Sequence, residues 1–308
     1  MRFIDSYFYN PNFTQKCLSI TLLPISLLYA IGSIVRRRFS KFHDFHIPIV
    51  SVGNLIAGGS GKTPFIIEIA KDFQNACVIS RGYKRSSKGL VVVSLNGEIQ
   101  TSQEEAGDEP YLIARELKNA SVIVSKNRIE AIHKAKELGA KVIFLDDGFR
   151  FRFKKLNIVL EPLLKPFFPF CLPSGIYREI RSAAKEADIL VREGIEYERE
   201  VSIESPSERM LLLTAIANPS RLDAFLPDSV VGKITLSDHS RFDINALQDS
   251  MKKHNATSLL VTSKDEVKLI DSGLDLSVMR LRLKIDSKVL GQIQGYVKSF
   301  ETQTQVKP

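Results

Sequence analysis

The sequence predicts an α/β fold: a P-loop NTPase-like, mostly parallel sheet with helices on both faces. Short apolar runs rich in β-branched residues alternate with helical stretches along most of the 308 residues. One run leads directly into a glycine-rich turn that ends in Lys62 and Thr63, and another ends in Asp146 and Asp147. Alternating strands and helices are typical of parallel sheets, because a crossover helix joins each strand to the next.

Near the N-terminus an uncharged run, residues 17–35, is followed by the basic residues Arg36, Arg37, Arg38 and Lys41. We predict an N-terminal hydrophobic helix, about long enough for the roughly 30 Å hydrocarbon layer of a membrane. The basic flank predicts that the rest of the protein stays in the cytoplasm. A helix lying in the membrane interface and a buried core helix are the alternatives. A cleaved signal peptide is excluded, because its basic residues would precede the apolar run.

Residues 47–52 form an apolar, β-branched run that predicts a strand, and a glycine-rich turn and an amphipathic stretch follow it. This is the context of a P-loop, whose backbone amides bind phosphate oxygens. The predicted phosphate-binding residues are Gly58, Gly59, Ser60, Gly61, Lys62 and Thr63. Ile56 departs from the motif, which has glycine or a small residue there. Ala57 replaces the signature lysine of partitioning ATPases, which argues against that class.

Residues 141–148 (KVIFLDDG) predict a buried strand that ends in two carboxylates, after a helix at residues 127–138. Carboxylates at the ends of parallel strands lie beside the nucleotide crevice of such folds. Asp146 or Asp147 would therefore bind Mg²⁺ together with the Thr63 hydroxyl.

Further strands are predicted by two sets of apolar runs. Those of the first set are continuous, at residues 122–124, 158–160, 189–191, 211–215 and 259–261. Those of the second set alternate with polar residues, as half-exposed strands do, at residues 89–95 and 278–285.

Composition excludes only a few classes of function. The formal net charge of +8 favours anionic partners, and the scattered basic residues do not predict nucleic-acid binding. Cys17, Cys77 and Cys171 lie far apart, which excludes a disulfide framework and a structural zinc site.

Several stretches together resemble one family, the tetraacyldisaccharide 4'-kinases of lipid A synthesis. They are SVGNLIAGGSGKTP (51–64), SRGYKR (80–85), GDEP (107–110), DDGF (146–149), LPSGIYRE (172–179), SDH (237–239) and TSKD (262–265). The resemblance implies a kinase that uses ATP and Mg²⁺ to phosphorylate the 4'-hydroxyl of a lipid A precursor disaccharide. It also implies a location at the cytoplasmic face of a Gram-negative inner membrane and a second, smaller α/β lobe.

The resemblance also implies roles for individual residues. Asp108 would take the proton of the acceptor hydroxyl, and His239 would orient that hydroxyl or stabilise the carboxylate. Glu179 would join the magnesium site, and Lys62 would balance charge on the transferred phosphoryl group. From the residues alone, Asp108 could instead be a helix N-cap, His239 a loop histidine and Glu179 a surface charge.

At one point the sequence departs from the family pattern: Arg150 and Phe151 follow DDGF, where the family has Gln-His. Arg150 either contacts a phosphate or lies at the edge of the site.

The predicted domains are an anchor helix at residues 1–40, a P-loop kinase core at 41–165, and a second lobe at 166–308. This lobe would carry acceptor-site residues and return to the core. The alternative function is a membrane-associated regulatory or assembly ATPase that acts on a protein partner. A GTPase is disfavoured, because no NKxD motif is present. No obligate protein partner is predicted.

Overall fold

The computed structural model describes residues 3–58, 61–216, 219–237, 240 and 242–305. The chain forms two compact units. The first comprises Met1–Ile66, Gly139–Glu198 and Ile285–Pro308, and the second comprises Ile67–Leu138 and Arg199–Lys284. The boundaries predicted at residues 40 and 165 divide the chain by function, whereas these two units are defined by their compactness. The predicted domains therefore stay a prediction.

The helices are α1 (Phe3–Tyr9), α2 (Phe13–Thr21), α3 (Leu23–Arg38), α4 (Lys62–Ala70), α5 (Gln103–Ala106), α6 (Asp108–Glu116), α7 (Arg128–Glu137), α8 (Ile244–His254), α9 (Ser263–Glu266) and α10 (Ser287–Gln305). The strands are β1 (Ile49–Gly53), β2 (Ala76–Ser80), β3 (Val91–Leu95), β4 (Glu98–Ile99), β5 (Ala120–Val124), β6 (Val142–Asp146), β7 (Leu156–Glu161), β8 (Ile189–Arg192), β9 (Tyr197–Glu204), β10 (Met210–Thr214), β11 (Val230–Thr235), β12 (Ser258–Thr262) and β13 (Leu276–Ile285). Short 3₁₀ helices lie at Arg181–Glu186 and Pro219–Phe225.

In the first unit, the strands lie in the order β6-β1-β7-β8, and each neighbouring pair is parallel. Strands β1 and β6 are buried along their whole length, as expected for continuous apolar runs in a parallel sheet. Val52 lies beside Asp146 in the register of β1 and β6. The P-loop and the acidic pair therefore leave the sheet at the same edge.

The second unit contains strands in the order β4-β3-β5-β2, in which β2 and β5 are parallel and β3 is antiparallel to its neighbours. A five-stranded sheet follows in the order β11-β10-β12-β13-β9. Strands β11, β10, β12 and β13 of this sheet are parallel neighbours. Leu211, Leu213, Leu259 and Val261 on β10 and β12 pack with Leu247 of α8 in its core.

These observations confirm the α/β class and its mostly parallel strands. Each apolar run that predicted a strand forms one, and α7 lies where a helix was expected.

The predicted N-terminal hydrophobic segment is helical, but residues 17–35 fall in two helices rather than one. Helices α2 and α3 meet at Leu22 with a bend of 53°. Pro24 lies in the first turn of α3, where its missing N–H costs nothing, whereas inside a continuous helix the same residue would break it. Within the described residues no single helix is both long and apolar enough to span a bilayer; by length and composition, only the bent pair α2–α3 qualifies.

Four polar side chains of α2 and α3 face the protein. Gln15 is buried, and so are Ser19, Ser26 and Ser33 of the hydrophobic segment, whereas Thr14 and Lys16 are exposed. Ser19 donates a hydrogen bond to the carbonyl of Ser174, and Ser26 accepts one from the Ser174 amide. Many apolar side chains of these helices are exposed instead, namely Phe13, Leu18, Ile20, Ile25, Leu27, Leu28, Ile31, Ile34 and Val35.

Candidate active site

The P-loop joins the end of β1 to the start of α4 in the first unit. Gly58 and Gly61 have φ angles of +89° and +80°, a region that glycine adopts without the strain other residues incur. Lys62 and Thr63 form the first turn of α4, where free backbone amides and the helix dipole favour a bound phosphate. Gly59 and Ser60, two of the predicted phosphate-binding residues, lie outside the described residues.

Ile56, which departs from the P-loop motif, is buried with 5% of its surface exposed. It forms an antiparallel bridge with Tyr177, and the Ala57 amide donates to the Ile176 carbonyl at 2.9 Å. The first half of the turn is therefore extended backbone paired with another segment. An apolar side chain fits there, because this backbone is buried and paired.

Lys62 belongs to a compact charged cluster in the first unit. Its Nζ donates to Asn54 Oδ1 at 3.1 Å and lies 3.7 Å from Asp147 Oδ1. Arg178 binds both oxygens of Asp147, at 3.0 and 2.8 Å, and donates to Asn54 Oδ1 at 2.7 Å. This paired geometry is typical of arginine, whose planar fork matches a carboxylate.

The environment of Asp147 keeps it ionised. Burial raises the pKa of its carboxyl, but the charges of Lys62 and Arg178 together lower that pKa to about 2. The cluster thus carries two positive charges and one negative charge at neutral pH, and it retains positive charge for an incoming polyanion.

A buried donor in the same cluster also indicates a ligand. Asn54 is 3% exposed, and its Nδ2 has no hydrogen-bond partner within the described part of the chain. An unsatisfied buried donor costs roughly 1–3 kcal/mol, so such a group is usually paired in the working protein. A phosphate oxygen would satisfy it.

Two of the predicted magnesium ligands lie near the ends of a strand and a helix of the first unit. Asp146 is buried at the end of β6, and Thr63 lies in the first turn of α4. Among the described residues, no three His, Cys, Asp or Glu side chains form a group that could hold a metal. Mg²⁺ in phosphoryl-transfer sites takes one or two carboxylates and completes its shell with water and substrate phosphates. Thr63 with Asp146 or Asp147 fits that requirement.

Glu179, the further predicted magnesium neighbour, is almost fully buried. Its Oε1 lies 2.6 Å from Arg150 Nε, and its Oε2 accepts a hydrogen bond from Ser33 of α3 at 2.6 Å. Arg150 also donates to the Arg178 carbonyl at 2.8 Å. Glu179 is therefore no surface charge, and Arg150 is bound to it beside the Asp147 cluster. Phe151 stacks on Phe153 with ring centroids 5.3 Å apart.

Asp108 lies in the second unit, 8% exposed, as the first residue of α6. The N-cap of α6 is Gly107, and no side chain caps the helix, so the N-cap interpretation of Asp108 is wrong. Gln103 Nε2 donates to Asp108 Oδ1, and Lys268 Nζ lies 3.1 Å from Oδ2.

Asp108 opens onto a pocket of about 380 Å³ within the second unit. The other lining residues are Tyr83, Lys84, Gln103, Glu104, Gly107, Ser240, Phe242 and Lys268. His239 lies outside the described residues, so its predicted role stays a prediction.

Several residues of these clusters were not identified from the sequence. Asn54, Gln103 and Lys268 gave no signal in motif spacing, and Arg178 had the pattern of a surface charge. The only available signal was their position inside or next to family-like stretches, namely SVGN, GDEP, LPSGIYRE and TSKD.

Comparison with known proteins agrees with this geometry. The family model for tetraacyldisaccharide-1-P 4'-kinase matches residues 18–210. The tetraacyldisaccharide 4'-kinase of Helicobacter acinonychis (strain Sheeba) is 56% identical over 302 residues, covering 98% of this chain and 97% of its own. That of Campylobacter jejuni (strain RM1221) is 42% identical over 300 residues, covering 97% and 96%.

A solved structure is also similar. It is the "apo" form of LpxK from Aquifex aeolicus in complex with ATP, which is 28% identical. The TM-score is 0.75, and the match covers 91% of this chain and 99% of that one. By its sequence, its fold and the arrangement of its P-loop, this chain belongs to the tetraacyldisaccharide-1-P 4'-kinase family.

Proposed function

We propose that this protein transfers the γ-phosphoryl group of ATP to the 4'-hydroxyl of tetraacyldisaccharide 1-phosphate, giving lipid IVA in lipid A biosynthesis. One observation carries the proposal above the others. Lys62, at the start of α4, is held by Asn54 and Asp147 at the sheet edge where β1 and β6 end. A lysine at this place in a P-loop binds the β- and γ-phosphates of a nucleotide.

The groups of the first unit bind and polarise the nucleotide. The amides of residues 58–63 contact phosphate oxygens, and Lys62 leaves its contacts with Asn54 and Asp147 for the terminal phosphates. Mg²⁺, held by Thr63 with Asp146 or Asp147 and with Glu179 nearby, would neutralise charge on the β- and γ-oxygens. Most of the catalysis in phosphoryl transfer comes from such positioning and charge balance.

Asp108 serves the acceptor. Its carboxylate accepts the proton of the 4'-hydroxyl as the oxygen attacks the γ-phosphorus, and His239 orients that hydroxyl. The buried, hydrogen-bonded position of Asp108 supports this role, because a base must be held within reach of the proton it takes. The role of His239 rests on the family resemblance alone.

The acceptor carries acyl chains, so the enzyme meets it at a membrane surface. We propose that α2 and α3 lie in the cytoplasmic interface of the inner membrane, with their exposed apolar side chains in the acyl region. Their buried serines support this orientation, since a helix with its polar side packed on protein leaves the apolar side for lipid. Arg36 and Arg38 are exposed in the last turn of α3, where basic residues favour anionic headgroups, whereas Arg37 pairs with Glu186.

The test is phosphoryl transfer by the purified chain alone. The protein is incubated with γ-labelled ATP, Mg²⁺ and tetraacyldisaccharide 1-phosphate in mixed micelles, and labelled lipid and free phosphate are both measured. We expect label in the lipid, at a rate that rises with lipid concentration. Release of free phosphate alone, stimulated by a protein fraction and indifferent to the lipid, would instead favour the assembly ATPase.

A further inference from the structure

We propose that Lys268 is a positioning residue for the acceptor base: its ammonium group fixes the Asp108 carboxylate in the orientation from which it takes the proton. The inference deepens the proposed function and rests on the role of Asp108 as base. Lys268 itself touches neither the hydroxyl nor the phosphate in this proposal.

The contact between the two residues is close and sheltered from water. Lys268 Nζ lies 3.1 Å from Asp108 Oδ2, and their side chains are only 9% and 10% exposed. The Gln103 amide donates to the other oxygen, Oδ1. Two donors on opposite oxygens fix both the position and the rotation of the carboxylate, which a single contact would leave free to turn.

Lys268 is itself fixed from the other side. Its Nζ donates to the Ser240 carbonyl at 3.3 Å and lies 3.9 Å from Asp265 Oδ1. The ammonium also lies 5.4 Å from the centre of the Phe242 ring, within cation–π distance. The ammonium would lose this hydrogen bond and these weaker contacts if it moved away.

Asp265, the second carboxylate beside Lys268, is fully buried and strongly bound. It accepts hydrogen bonds from the hydroxyls of Thr214 and Thr262 and from the Ala215 amide. Thr262 ends β12, and Thr214 ends β10. Lys268 thus lies beside a carboxylate that is fixed to the ends of two central strands, and support from a well-packed neighbour of this kind helps to hold a reacting group in place.

In the proposed transfer step, every proton and every bond is accounted for. The 4'-hydroxyl proton passes to the Asp108 carboxylate, the alcohol oxygen bonds to the γ-phosphorus, and the bond from that phosphorus to the ADP oxygen breaks. Lys268 keeps its proton throughout and stays on Oδ2. Misplacing a reacting group by about 1 Å can lower the rate roughly 100-fold. A buried ion pair that holds the base in position therefore has a large effect on the rate.

A purely structural ion pair is the competing explanation, and enzyme kinetics distinguish the two. We would compare Lys268→Met, Lys268→Arg and the matched control Lys233→Met. Lys233 also lies in the second unit and pairs with an acid, Asp223, but that pair is exposed. For each variant we would measure kcat, the KM values for ATP and lipid, and the melting temperature.

We expect Lys268→Met to lower kcat by roughly 100-fold with both KM values within about threefold of wild type. Lys268→Arg, which keeps the charge, should recover at least about a tenth of the wild-type kcat. Lys233→Met should behave as wild type. In an Asp108→Asn background, Lys268→Met should cause no further fall in kcat, because the group that it positions is already lost.

If Lys268→Met alone does not fold, the double variant with Asp108→Asn can be used instead. It lacks the buried Asp108 carboxylate that Lys268→Met would leave without its lysine. Unchanged kcat in a folded Lys268→Met protein overturns the inference, as does an additive loss in the Asp108→Asn background. A wild-type protein that transfers no phosphate to the lipid overturns the proposed function instead, so the two failures are distinguishable.

Discussion

Among individual residues, Lys62, Asn54, Asp147 and Arg178 form one network of ion pairs and hydrogen bonds. Arg178 keeps Asp147 in place with two hydrogen bonds, so Lys62 can leave that carboxylate without leaving it unpaired. The proposed role of Lys62 at the phosphates therefore needs no movement of Asp147. Such preorganisation is the main way in which a protein accelerates phosphoryl transfer.

Lys62→Ala should abolish measurable transfer, with kcat lower by at least about 100-fold. Losing one preorganised charge or donor at a developing negative charge has an effect of this size. The fold should persist, because Arg178 still binds Asp147. Transfer of label from ATP to lipid gives the rate, and circular dichroism checks the fold.

The matched control is Lys71→Ala, just beyond the end of α4, where the lysine pairs with Glu68 on the surface. It should keep wild-type activity. Wild-type transfer by Lys62→Ala would mean that another cation balances the phosphates.

Among the elements, the turn that follows β6 depends on a buried lysine. Lys155 Nζ donates to the carbonyls of Gly148, Phe149 and Phe151 and so holds the backbone immediately after Asp147. Burial lowers the pKa of Lys155 to about 7, although the Asp188 charge opposes this. The turn after Asp147 is therefore expected to respond to pH.

The stability of the folded protein should reflect this lysine. An unfolded lysine titrates near 10.4, so between about pH 7 and pH 10 the unfolded chain binds more protons than the folded one. The Lys155 contribution to the free energy of unfolding should therefore increase as pH rises through this window. Chemical denaturation of wild type and Lys155→Met at pH 6, 7, 8 and 9 measures it.

Lys155→Met should be less stable at pH 8 and 9, where the neutral amine of the wild type still donates to backbone carbonyls that methionine leaves unpaired, each bond being worth about 1 kcal/mol. The surface variant Lys154→Met serves as the comparison, since Lys154 pairs with Asp44 in an exposed position. A difference between wild type and Lys155→Met that stays constant from pH 6 to 9 would contradict the assigned titration.

Helices α2 and α3 are the elements proposed to meet the membrane. Leu28→Glu with Ile31→Glu on α3 should weaken binding to anionic phospholipid vesicles by at least about tenfold, because each replacement puts a charge where apolar burial is expected. Both side chains are largely exposed, so the fold should tolerate the change.

Vesicle sedimentation measures that binding, and Ile195→Glu is the control, since Ile195 is equally exposed but follows β8. Equal binding of the α3 variant and wild type would mean that another surface attaches the protein.

For the whole molecule, the sequence predicted the strands well, because buried parallel strands are continuous apolar runs that periodicity detects. It also predicted the P-loop, whose glycines and lysine are contiguous. It missed Arg178 and Lys268, because each contacts a carboxylate that is distant in the sequence. Arg178, for example, binds Asp147, which lies 31 residues earlier. It also missed the break at Leu22, because the apolar run continues through this position. A new helix begins there, with Pro24 in its first turn. Contacts between distant segments depend on the tertiary structure, and no local pattern records them.

The central claim is that the phosphoryl group arrives at one particular oxygen of a lipid. The most direct measurement is to isolate the lipid product after incubation with ATP and Mg²⁺ and to locate its new phosphate by ³¹P NMR and tandem mass spectrometry. We expect a single added phosphate on the 4' oxygen, absent when Lys62→Ala replaces the wild-type protein. A phosphate at any other position, or ATP consumed with the lipid unchanged, would contradict it.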